Sequence, residues 1–293
     1  MGKAIGDALG AASEFLAERE VSATFGILRD YRAREWFAPG EFTDDTSMAL
    51  WMAEAIIKGD GVEANAVGDA WVEWMETDGR GIGCQTLKAL TLIQHGMAPL
   101  DAGRRVWQDS GRRAAGNGAV MRCTPIGLLR FRDQERLVAE SILTSQITHY
   151  DPRCTWGCVA VNTAIAAILR REPDPRERAM EAVRGRNPEL EEGLAAAAQE
   201  PIADMRLDGR NQGYTVLTTN VAFAALEQYD DFEDAIVAII NKGGDADTNA
   251  AVAGALLGAR YGTAELPPEW VDGLVGRERV VRAAEGLMEM ATG

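Results

Sequence analysis

Apolar positions recur along this chain at helical spacing almost from end to end. Val67, Ala70, Trp71, Trp74 and Met75 fall at i, i+3, i+4, i+7 and i+8, and Met48, Trp51, Met52, Ala55 and Ile56 repeat the pattern. That spacing gathers the apolar side chains on one stripe of a helix. Alternating apolar and polar runs rich in β-branched residues are nearly absent, as are Asn-Gly or Asp-Gly hairpin signals between strands. Gly59 and Gly96 stand where helices should stop, while Asp174-Pro175 and Asp231 read as helix starts. The longest apolar stretch, Trp156 to Leu169, is too short to span a bilayer and carries Asn162 and Thr163; it reads as a buried central helix. The polar stretch 171–211 reads as short helices and turns such as "PELEEGLAAAAQE". The expected fold class is all-α.

Composition narrows the partners more than the fold. The 293 residues are 46% hydrophobic and 26% charged, an ordinary globular balance. A net charge of −15 opposes nucleic acid and anionic membrane, whose recognition needs clustered Lys and Arg. A phosphate-bearing substrate would need a bound cation or oriented backbone N–H groups. Four cysteines are too few for a disulfide scaffold, and no secretory leader opens the chain. A soluble, cytoplasmic protein is expected, with no internal linker.

Two acidic clusters change the picture: "EFTDDTSMAL" (41–50) and "NKGGDADTNA" (241–250). Within a helix, neighbours one or two apart diverge, but at a loop-to-helix junction they can face one side. Asp245 and Asp247 after Gly243-Gly244 fit such a junction, as do Thr43, Asp44 and Asp45 ahead of the periodic helix from Met48. Either cluster alone reads first as a helix cap. Together they read differently, because converging carboxylates repel unless a cation lies among them. The donors are all oxygen, with no His or Cys at metal spacing, which suits Mg²⁺, Mn²⁺ or Ca²⁺ and disfavours zinc. An EF-hand is excluded, since Ala250 and Leu256 occupy the required Gly and Glu positions. If the clusters share a site, the two ends of the chain pack together, which favours one domain, 1–293. The small residues from Ala250 to Ala259 then let other helices approach closely and hold the aspartate-bearing end rigid.

Gly116, Asn117 and Gly118 precede a helical stretch but form neither a P-loop nor a dinucleotide fingerprint. On its own this is a turn, although amides running into a helix start can cradle a pyrophosphate. Of two histidines, His95 lies at a helix end and His149 precedes a turn, where it reads as structural or as facing a cleft. Cys154 and Cys158 read as small core residues.

In order, "GDALGAASEF" (6–15), "FTDDTSMAL" (42–50), "GNGAVMRCTPIGL" (116–128), "SQITH" (145–149), "GYTVLTTNVAFAAL" (213–226) and "GGDADTNAAVAGALLGA" (243–259) resemble the ADP-ribosylglycohydrolase family. The resemblance implies a compact orthogonal multi-helix bundle with a central dinuclear site for two divalent cations, Mg²⁺ or Mn²⁺. It implies Thr43, Asp44, Asp45, Asp245, Asp247 and Thr248 as metal ligands. It implies Glu14 and Asp45 as catalytic, with Glu14 on a loop able to cover the site. Gly116, Asn117, Gly118, Met121 and His149 would hold the diphosphate and ribose, and Tyr214 would line the nucleotide pocket. The implied reaction is hydrolysis of the glycosidic bond between ADP-ribose and an attached group, such as an ADP-ribosylated protein side chain. Hydrolysis of O-acetyl-ADP-ribose and non-catalytic ADP-ribose binding are the alternatives. The chain departs from the pattern in three places. It starts five residues before Gly6, where the family carries a further helical turn. Ala246 replaces a threonine common between the two aspartates. Ala114 and Ala115 stand where the activating glycohydrolases carry an acidic residue, a departure from the arginine-type pattern.

Overall fold

Each periodic stretch folds as a helix that buries its apolar stripe. In the computed structural model, which describes residues 1–293, sixteen α-helices and three short 3-10 turns follow one another without a sheet. Three isolated bridges are the only β-type pairing. The Ala64–Thr77 helix buries Val67, Trp71 and Trp74, and the Asp44–Gly59 helix buries Met48, Met52 and Ile56. The Trp71 indole N–H donates to the Met48 carbonyl at 2.9 Å, locking the two stripes in register.

The expected boundaries hold, with one shift. Gly59 ends its helix against Asp60 in a left-handed conformation, and Gly96 follows the helix that ends at Gln94. Asp174 and Asp231 accept the Glu177 and Asp234 amides and cap the Pro175–Val183 and Phe232–Ile240 helices. The shift concerns the helix expected from Met48, which begins four residues earlier, at Asp44. Its first turn lies ahead of the apolar stripe, so periodicity does not reveal it. The Pro152–Leu169 helix is buried along nearly its full length, and its Asn162 amide donates to Ser141 Oγ at 2.9 Å. No helix is long and apolar enough to cross a membrane.

The small-sided Ala246–Tyr261 helix packs against Gly2–Gly10, which carries Gly2, Gly6 and Gly10 on one face at a spacing of four. A Cβ on Gly6 would stand 2.1 Å from the Ala250 carbonyl oxygen, and one on Gly10 would stand 2.4 Å from Asp247 Cα. The two backbones therefore touch, and the contact brings the first helix onto the one that starts with aspartates. Gly6→Ala forces them apart. Overpacking of this kind costs about 1–3 kcal/mol, read as a lowered midpoint in thermal melts.

Candidate functional site

The two acidic clusters, far apart in sequence, meet. Thr248 Oγ1 donates to Asp45 Oδ1 at 3.2 Å, and Thr43 Oγ1 to Asp247 Oδ2 at 3.4 Å. A carboxylate oxygen each from Glu14, Asp245 and Asp247 lie within 4.8 Å of one another. They line a cleft of about 210 Å³ together with Asp44, Asp45, Thr248, Gly116, Asn117, Gly118, Met121 and His149.

Local geometry decides between capping and convergence. The helix from Asp44 is capped by Thr43, whose hydroxyl accepts the Asp45 amide at 3.4 Å. Two further amides of this turn are served from outside: Asp7 Oδ1 accepts the Thr43 amide and Asp7 Oδ2 the Thr46 amide, each at 2.9 Å. Asp44 and Asp45 are thus released from capping and project from the first turn. At the other cluster Asp245 stands at the cap position without a side-chain cap hydrogen bond. Asp7 is fully buried, and the sequence reading gave it no role. Asp7→Ala strips two amides of their acceptor. A lost cap costs about 1–2 kcal/mol, and because this turn carries two cleft carboxylates, turnover should fall with the melting temperature.

Glycines bring the surrounding loops close. Gly243 and Gly244 both adopt φ 66, and a Cβ on either would collide with the Leu16 or Leu207 carbonyl at 2.1 and 2.0 Å. That approach lets the Gly244 amide donate to Leu16 O at 2.8 Å and the Phe15 amide to Gly244 O at 2.6 Å. The strap holding Glu14 is thereby stitched to the strap holding Asp245. Asn117 Nδ2 donates to Asp245 Oδ2 at 2.7 Å and to Thr218 Oγ1 at 3.0 Å, fixing that carboxylate. The Gly81–Gly83 loop and the start of the Cys84–Gln94 helix also line the cleft, and Gly81, at φ 83, lies where a Cβ would stand 2.5 Å from Asp44 Oδ1. The glycine-dense "GRGIG" is the sequence signal for this loop.

Electrostatics set these carboxylates apart. Burial pushes the Asp44, Asp45 and Asp247 carboxyls well above the usual range, reinforced by Asp45, Asp7 and Glu14 respectively. Asp245 is raised by burial as well, with the Asn117 hydrogen bond opposing. Glu14 is pushed up to about 7, first by burial, then by Asp245, with Arg34 opposing. Asp45 Oδ2 is sealed from water and has no hydrogen-bond partner. A buried, unpaired carboxylate oxygen is costly, and a divalent cation among these oxygens removes both that cost and the mutual repulsion. The donor set is all oxygen, so the residues fit a hard divalent cation.

Two of the expected residues lie off the cleft surface. Thr43 is buried beneath it, holding Asp247 and the helix start. Tyr214 pairs with the Gly116 backbone, but its ring lies beside the Arg153 guanidinium and its hydroxyl bonds Glu189. The loop after Asn117 runs into a 3-10 turn, Val120–Arg122, and not directly into an α-helix, and the Asn117 amide is spent on Gly213 O at 2.9 Å. Cys154 and Cys158 are buried, as small core residues should be, and His95 is exposed at its helix end.

The family model described as ADP-ribosylglycohydrolase matches residues 1–293. The chain is similar to the ADP-ribosylarginine hydrolase Tri1 of Serratia proteamaculans, at 32% identity over 99% of this chain and 78% of that one. It is also similar to the ADP-ribosyl-[dinitrogen reductase] glycohydrolase of Rhodospirillum rubrum, at 27% identity over 99% and 94%. A solved structure described as an ADP-ribosylglycohydrolase-related protein complex superposes with a TM-score of 0.83 at 29% identity, covering 99% of this chain and 95% of that chain.

Proposed function

The chain belongs to the ADP-ribosylglycohydrolase family and is a glycosidic-bond hydrolase, and we propose that it frees protein side chains from ADP-ribose with the help of two divalent cations, Mg²⁺ or Mn²⁺. The observation that carries this reading is the convergence of Thr43–Asp45 with Asp245–Thr248 on one cleft that Glu14 and His149 also line. Asp44, Asp45, Asp245, Asp247 and Thr248 would hold the ions, and Thr43 would join them only by turning its hydroxyl from Asp247 toward the cleft. When bound, they supply charge for the ribose hydroxyls and acidify a water.

The chain's own groups account for the rest. Water attacks C1 of the distal ribose as the bond to the leaving group stretches toward an oxocarbenium-like state. Glu14 takes the proton of that water or orients it, and the freed side chain departs with the bonding electron pair and gains a proton from Glu14 or from solvent. Asn117 keeps Asp245 aimed into the cleft. Gly116, Gly118 and Met121 shape the wall for the diphosphate and ribose, His149 offers a polar contact there, and Tyr214 backs the same loop.

Charge favours a cationic leaving group. Glu14, Asp44, Asp45, Asp245 and Asp247 line the cleft, and two divalent ions leave those five carboxylates with one negative charge in excess. A guanidinium suits that surplus better than an acetyl ester, although Ala114 and Ala115 lack the acid expected of the arginine-type pattern. Turnover of arginine-, serine- and acetyl-linked ADP-ribose, with and without Mg²⁺ or Mn²⁺, tests the reading; activity confined to the acetyl ester would overturn it. We read residues 1–293 as one domain, since one core cluster runs from Ala4 to Leu287. The net charge of −15 argues against nucleic-acid or membrane partners and fits a cytoplasmic setting.

A further inference from the structure

Arg122 is 1% exposed and forms no ion pair. Its guanidinium lies 3.8 Å from the centroid of the Trp71 ring and within 3.2 Å of Met48 Sδ. A cation sealed in a core without a carboxylate partner is expensive, so its placement calls for a reason. One is visible at its far side, where Nη2 donates to Thr148 Oγ1. Thr148 Oγ1 in turn lies 2.7 Å from His149 Nδ1.

One arrangement of the hydrogens along this relay leaves no buried donor without an acceptor. A guanidinium has donors only, so Thr148 Oγ1 accepts from Arg122. The threonine hydrogen then has one remaining acceptor, His149 Nδ1, because Arg122 and His149 are the only partners of that hydroxyl. Nδ1 is therefore bare. Burial and the nearby Arg122 charge both push the imidazole's proton affinity well below its ordinary value, so the ring is neutral. The single ring hydrogen belongs on Nε2, which faces the glycine loop: a Cβ on Gly118 would stand 2.9 Å from it and one on Gly116 3.5 Å.

We propose that Arg122 is a positioning residue, acting through Thr148 to hold His149 as the Nε2–H tautomer so that the ring donates to an anionic oxygen of the substrate beside Gly116–Gly118. The proposal rests on the reading of His149 as a substrate contact. A histidine with free tautomers would present a lone pair to that oxygen part of the time and repel it. The relay removes that possibility before substrate arrives, which is how a fixed donor is preorganised.

Nitrogen-15 spectra of the whole protein test this directly, because there are only two histidines and His95→Gln assigns them. His149 is expected to show a bare Nδ1 and a protonated Nε2. A proton on Nδ1, or on both nitrogens, overturns the proposal. Thr148→Val and Arg122→Met should release the ring into a mixture of tautomers and raise KM for ADP-ribosylated substrate about tenfold, the size of one lost hydrogen bond to a charged group, with a smaller change in kcat. Thr148→Ser, which keeps the hydroxyl, should restore both the spectrum and KM; a Thr148→Val protein with unaltered tautomer and KM sinks the idea. Should Arg122→Met fail to fold, the two Thr148 variants carry the test. His149→Ala separates the underlying reading: unchanged KM there removes the substrate contact, whatever the tautomer spectrum shows.

Discussion

Replacing Asp45 or Asp247 with alanine is expected to lower hydrolysis by roughly a thousandfold or more, the scale of losing a metal-centred electrostatic contribution, while circular dichroism stays unchanged. Asp45 sits in a first turn whose caps come from elsewhere, from Thr43 and Asp7, whereas Asp247 accepts one amide of its own first turn, that of Thr248, at 2.8 Å, so Asp247→Ala also gives up that bond within a sixteen-residue helix. The helices therefore do not depend on the Asp45 carboxylate, and removing it relieves repulsion in the metal-free protein. A companion experiment reads the same physics without activity. The carboxyls of Asp44, Asp45, Asp247 and Glu14 bind protons more tightly in the folded protein than in the unfolded chain, where such groups titrate near pH 4. Native protein thus gains protons relative to unfolded protein between those limits, and by linkage stability falls as pH rises. In chelator, the melting temperature should drop from about pH 4 up through about 7, where Glu14 ionises. Mg²⁺ or Mn²⁺ should flatten that slope and raise the midpoint, and Asp45→Asn should weaken both effects. A melting temperature indifferent to both metal and pH would remove the cation from this site.

Much of this was legible in the residues, for local reasons. Helical stripes such as Val67–Trp71–Trp74 and caps such as Asp174 and Asp231 are written within one or two turns of sequence. The acidic clusters announce themselves because oxygen donors crowd at helix starts, where one cap suffices. Asp7 was illegible by contrast. It caps a helix 36 residues onward, and nothing in "GDALG" distinguishes a tertiary cap from a surface aspartate. The Gly2–Gly6–Gly10 stripe shows in the sequence at a spacing of four, as do the small residues of 250–259, but that the two stripes face each other is set by the tertiary contact. The start at Asp44 instead of Met48 escaped because a first turn needs caps, not apolar residues. For Tyr214 the residues alone give no role, and only the family resemblance points to the nucleotide; its hydroxyl meets Arg153 and Glu189 while its backbone pairs with Gly116.

Glu14→Gln should cut kcat by about a hundredfold to ten-thousandfold, the range of a general base, with ADP-ribose affinity nearly retained. Glu14 is placed for this by backbone alone: Phe15, at φ 58, turns the chain onto Gly244, and Arg34 Nη2 donates to the Glu14 carbonyl at 2.8 Å. Those contacts survive the substitution, so the cleft keeps its shape while the acceptor for the water's proton is lost. The pH profile gives the second readout. A base works ionised, so activity falls as pH drops through its pKa. Burial and Asp245 raise that value to about 7 without metal, and bound cations pull it lower. Wild-type kcat should therefore lose activity on an acid limb below neutrality that Glu14→Gln lacks. The same limb in the variant would assign the titration to another group and leave Glu14 with a purely structural part, and unchanged turnover would take it out of the mechanism altogether.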